Sequence, residues 1–140
     1  MKDVSVYHIQ KVLPLYGIPF EVFISYQMAD CIMHAESIFK GVSFINALEC
    51  NDFCGLLAHK DFKNRHFVFV EVSNKENINN VAVRLATKLS WQILDELNIT
   101  CNNKTHYTQS FIVEELFNLI LQSINDFLDN SNFNNNIGDL

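Results

Sequence analysis

The stretch Asn80–Ile99, NVAVRLATKLSWQILDELNI, decides how the chain is read. With Ile78 just before it, Ala82, Leu85, Ala86, Leu89, Ile93 and Leu97 recur at steps of three and four residues, while Arg84, Lys88 and Asp95 fall on the other side. That spacing places one apolar stripe along a helix of about 3.6 residues per turn and predicts a long helix pressed against a core. A second stretch repeats the pattern from about Thr108, with Val113, Leu116, Phe117, Ile120, Leu121, Ile124 and Leu128. The linking residues, TCNNKTHY, are too few to separate the helices, so the two pack on a sheet or on each other.

Upstream of this pair the period changes. PFEVFISY, Pro19–Tyr26, alternates with Phe20, Val22 and Ile24 on one side, and VSVYHIQ, Val4–Gln10, alternates less cleanly; both predict strands. LPLYGIP between them carries Pro14, Gly17 and Pro19, the strongest turn punctuation in the chain. QMADCIMHAESIFKG spaces Met28, Cys31, Ile32, Ala35 and Ile38 or Phe39 as a helix of three turns, closed by Lys40 and Gly41. GVSFINALEC and FCGLLAHK suit two weak strands. HFVFVEVS, His66–Ser73, is β-branched and aromatic on both faces and suits a central strand, preceded by a charged loop, KDFKNRH.

These pieces predict an α+β fold: a small mixed or antiparallel sheet packed with two long C-terminal helices and one shorter helix. A single domain would span residues 1–128. The tail DNSNFNNNIGDL, 129–140, is polar and Asn-rich and reads as flexible or ordered by a partner.

Composition narrows the function. In 140 residues, 49% hydrophobic with 12 Phe, there is material for a real core without a disulfide or metal staple. A formal charge of −6 with only 10 Lys plus Arg lacks the positive footprint that neutralises phosphates, which disfavours duplex nucleic acid and anionic membranes. A protein partner or small ligand fits better. The N-terminus has no continuous apolar run of signal-peptide type, and nothing approaches membrane-spanning length. A cytoplasmic location follows as the expectation, with Cys31, Cys50, Cys54 and Cys101 as free thiols. The sequons at Asn98 and Asn103 then read as accidents of Asn abundance.

Several residues could carry chemistry. Cys31-x2-His34 with Cys50-x3-Cys54 offers four ligands of zinc-compatible type, although Cys31 lies on the apolar side of its helix as a core thiol would. His34-Ala35-Glu36 followed by those cysteines is similar in residue type to the nucleobase deaminase signature, but no Pro precedes Cys50 and the spacing is three rather than two. His59 and His66 flank a charged loop, where solvated histidines are the simplest reading. Glu114 and Glu115 are adjacent on a helix and therefore diverge. No nucleophile motif or glycine-rich phosphate loop is present in a chain with 4 Gly, so no catalytic, cofactor or metal residue is assigned.

In the order of its elements from about Gly55 to Leu121, and best in ILDELNI at Ile93–Ile99, the chain resembles the small zincin-like, metallopeptidase-type proteins encoded in many phage genomes. The resemblance implies a helix carrying His-Glu-x-x-His, yet alignment on ILDELNI puts Arg84, Leu85 and Lys88 where the two ligands and the general base would stand. Arg and Lys repel a divalent cation, and Leu cannot activate water. The resemblance therefore implies a pseudoenzyme, a phage-encoded accessory protein such as a virion component or an inhibitor of a host protein. The alternative from the residues themselves is a small zinc module or enzyme built on Cys31, His34, Cys50 and Cys54.

Overall fold

A computed structural model describes residues 6–13, 17–40, 44, 56–61, 65–72, 77–100 and 102–138, those at 56–61, 65 and 131–138 as backbone. The described chain is an α+β fold with strands β1 (Tyr7–Leu13), β2 (Ile18–Ser25), β3 (Leu56–Asp61) and β4 (Arg65–Glu71) and helices α1 (Met28–Ile38), α2 (Ile78–Glu96) and α3 (His106–Gly138). The sheet is mixed, in the order β1-β2-β4-β3, with β1 and β3 antiparallel to their neighbours and β2 parallel to β4. His66–Glu71 is thus a central strand, as its two-sided apolar character predicts.

Alternation along β2 and β4 divides the core into two layers. Phe20, Val22, Ile24, Val68 and Val70 face α2 and α3, and Phe23, Phe67 and Phe69 face α1 through Met28, Cys31, Ile32 and Ala35. The stripe expected on α2 is the one buried: Ala82, Leu85, Ala86, Leu89 and Ile93 are inaccessible to solvent. On α3 the fully buried row is Ile112, Leu116, Ile120, Ile124 and Phe127, while the expected Val113, Phe117 and Leu121 are half-buried on its flank. Both rows have helical spacing, and the side on which α2 lies chooses between them.

Two expectations shift in position. β1 runs from Tyr7 to Leu13, three residues beyond the expected strand, and β2 begins at Ile18, so both strands reach into the stretch read as a turn; Gly17, at φ +63°, is in a conformation that disfavours a side chain. Helical backbone continues through Gly138, into the Asn-rich stretch read as a tail. Of the two weak strands, FCGLLAHK supplies β3 from Leu56, whereas GVSFINALEC lies outside the described residues except for Phe44, which is buried against Phe67 and Phe69.

The link between α2 and α3 is over-determined. At the end of α2, Asn98 adopts φ 58°, its N–H donates to the Asp95 carbonyl at 3.1 Å, and the Ile99 N–H donates to the Leu94 carbonyl at 2.8 Å. This left-handed ending closes the last orphan carbonyls of the helix. A single 3-10 turn, Asn103–Thr105, follows, in which the Asn102 carboxamide accepts from the N–H of Lys104 and Thr105 and the Thr105 hydroxyl accepts from the N–H of Asn102. The left-handed backbone of Asn98 and the Thr105 hydroxyl, one residue from each sequon, thus serve the link between the two long helices, together with Asn102, which belongs to neither sequon.

Candidate functional site

Several described polar groups of the interior hold the fold together, although His66 Nδ1 and Gln92 Oε1 are buried without a hydrogen-bond partner among the described residues. Cys31 is fully buried, its Sγ 3.2 Å from the Ser25 hydroxyl and 3.8 Å from the Val70 carbonyl oxygen. Burial pushes this thiol up to about 11, which keeps it protonated and a poor metal ligand. His34, one turn along α1, turns its ring edge to His8 and Phe23 instead. Cys50 and Cys54 lie outside the described residues, and among the described residues no three His, Cys, Asp or Glu side chains are placed to hold a metal ion.

The crevice that α/β topology offers for ligands, at the carboxyl ends of parallel strands facing a helix N-terminus, is also occupied. The Glu71 carboxylate at the end of β4 accepts from the Met28 N–H of α1 at 2.9 Å, and the Ser25 hydroxyl accepts from the Gln27 N–H at 3.1 Å. The position an anion would take is filled by the chain's own side chain.

Two histidine–carboxylate pairs were not foreseen from the sequence. His8 Nε2 lies 2.7 Å from a Glu21 carboxylate that is only 2% exposed, with Gln10 Nε2 at 3.4 Å, and the His8 ring stacks on Phe23 at 4.2 Å. His66 Nε2, fully buried, lies 2.8 Å from Glu96 and fastens the end of α2 to β4. Both satisfy carboxylates that would be costly to bury alone. For Glu21 the need for a partner was legible, since a glutamate inside the apolar run of β2 requires one, but its identity was not. His59 stands opposite Phe67 and His66 opposite Lys60 in the register, so the two histidine positions belong to opposite faces of the sheet and form no pair. Leu85, where the zincin-like resemblance would place the general base, is a core residue between helix and sheet.

What these commitments leave over is a groove on the outer side of the α2–α3 hairpin, with a volume of about 480 Å³. One wall is Val83, Thr87, Ser90 and Trp91 of α2; the other runs from His106 to Phe117 on α3 and includes Val113 and Glu114. The two hydroxyls of its α2 wall are turned inward on their own helix: Thr87 donates to the Val83 carbonyl at 2.9 Å and Ser90 to the Thr87 carbonyl at 2.6 Å. Gln109 Nε2 is held by the Thr105 hydroxyl at 3.1 Å. The groove thus presents mainly hydrocarbon and aromatic surface, with Trp91 67% exposed on its rim. Beyond Trp91 a second hollow continues over Leu94, Asp95, Asn98, Ile99 and Thr100.

Comparison of the chain with known protein families, curated proteins and solved structures finds no match. Among the described residues no helix is long and apolar enough to cross a membrane.

Proposed function

We propose that this is a non-enzymatic protein-binding protein that works through the groove between α2 and α3. The observation that carries the reading is the pairing of an exposed Trp91 with a mainly apolar groove whose α2 hydroxyls, Thr87 and Ser90, are already bonded within their own helix. Such a surface gains by excluding water rather than by positioning a reactant, and a large aromatic at its rim is the usual anchor of a protein interface. On this reading the zincin-like resemblance describes a scaffold without its metal site, and a phage-encoded accessory protein, a virion component or an inhibitor of a host protein, is the role it suits.

A photo-reactive residue at Val83, on the groove, should cross-link a discrete partner protein in the native host, and the cross-link should disappear in Trp91→Asp. The same residue at Met33, exposed on α1 across the sheet, is the control. Equal cross-linking from both positions, or insensitivity to Trp91→Asp in a folded variant, would overturn the groove as the binding surface. Zinc-dependent peptidase activity lost in His34→Ala would overturn the non-enzymatic reading.

A further inference from the structure

The groove also restricts what can fill it, and on the reading above we infer that its occupant is a basic amphipathic helix of a partner protein. Its lining residues recur at three- and four-residue steps on both helices, at Val83, Thr87 and Trp91 and at His106, Ser110, Val113 and Phe117. The trough therefore runs along the helix axes, and the α3 wall extends about 16 Å at the helical rise. A cylinder of apolar side chains lying lengthwise fits this shape, completing a three-helix arrangement.

Charge selects the kind of helix. The two hollows that share Trp91 in their linings are lined by Glu114 in the first and Asp95 in the second, and by neither Lys nor Arg. Neither carboxylate has an ion-pair partner among the described residues. In a chain of net charge −6 these acids invite Lys or Arg flanking an apolar stripe. The same charges weigh against a second copy of this chain, since an isologous contact would set one acidic groove against another. The C-terminal segment is not the occupant either, because α3 continues unbroken to Gly138 and would have to break to fold back.

Trp91 is the only tryptophan in the chain, so its fluorescence reports occupancy directly. The probes are two synthetic helical peptides with the same leucine stripe, one flanked by Lys and Arg and the other by Glu. The basic peptide should shift Trp91 emission to the blue, shield it from acrylamide, and bind at least tenfold more tightly than the acidic one, with the gap closing as salt rises. Glu114→Lys combined with Asp95→Lys, both at exposed positions, should invert that preference while leaving the circular dichroism spectrum unchanged. Equal affinity for both peptides, or no binding of the basic one, would overturn the inference; so would a blue shift that grows with protein concentration alone, which would make the occupant a second copy. Each of these leaves the binding-protein reading to the separate cross-linking test, whose Trp91 dependence is independent of peptide charge.

Discussion

The two faces of the sheet are built from the same strands but filled by different chemistry. Towards α1 the layer is aromatic: Phe23 and Phe69 stack with centroids 5.5 Å apart, and Phe67 meets Phe44 at 4.9 Å and Phe39 at 5.0 Å. Towards α2 and α3, apart from Phe20 and Phe127, the buried layer is aliphatic. The cause lies in what covers each face. Two long helices bring enough Leu and Ile to fill the space between layers, whereas α1, with only 11 residues, presents Met28, Ile32 and the small Cys31 and Ala35, and aromatic rings of the sheet and of Phe39 and Phe44 fill the remaining volume. Close packing demands that one side supply what the other lacks.

The largest expected effects test this division. Phe69→Ala removes a ring that the small residues of α1 cannot replace, and should cost about 3–5 kcal/mol in urea unfolding. Leu89→Ala or Ile120→Ala on the aliphatic face should cost about 2–5 kcal/mol, towards the lower end if the two helices settle inward. A Phe69→Ala loss smaller than both would mean that α1 does not depend on the rings beneath it.

Intermediate effects sharpen the comparison at the edges of the aromatic face. Glu71→Ala leaves the N-terminus of α1 uncapped, and a loss of about 0.5–2 kcal/mol is expected from the unfolding midpoint. His34 sits at the rim, where burial and then the neighbouring His8 hold its pKa below the ordinary 6.5. Above that value the ring is neutral in both folded and unfolded chains and adds no pH dependence. As the pH falls through it, the unfolded chain takes up a proton that the folded chain resists, so stability declines until the folded pKa is passed. Unfolding midpoints should therefore drop less on acidification in His34→Asn than in the parent. Cys31, buried beneath the same helix, should resist iodoacetamide in native protein at mildly alkaline pH and react once urea opens the fold, as peptide mapping would show.

The smallest effect is expected on the outer side of the same long helices. Trp91→Ala should change stability by no more than about 0.5 kcal/mol, because the ring rests on the surface. A large loss would make Trp91 part of the core and remove the exposed anchor from the groove.

Local patterns carried much of this. Three-and-four spacing identified α2 and its buried stripe through Leu85, Leu89 and Ile93, and strict alternation assigned Phe20, Val22 and Ile24 to one face, because both signals arise from neighbours along the chain. The flank chosen by α3 was ambiguous, since Ile112 and Val113 are equally apolar and only the position of α2 ranks them. The fit of His8 to Glu21 and of His66 to Glu96 was hidden because each pair spans elements whose register no local motif reports.

By itself the sequence determined the α+β class and the kind and order of the three helices, the two-sided apolar character of β4 and the lack of any recognisable catalytic motif, all properties of residue type and short-range spacing. Only the tertiary structure decided the strand order, the filling of the α1 N-terminus by Glu71 and the open groove beside Trp91. Those depend on which surfaces are left after long-range packing has satisfied the rest, and a surface becomes a groove only when two helices are held side by side.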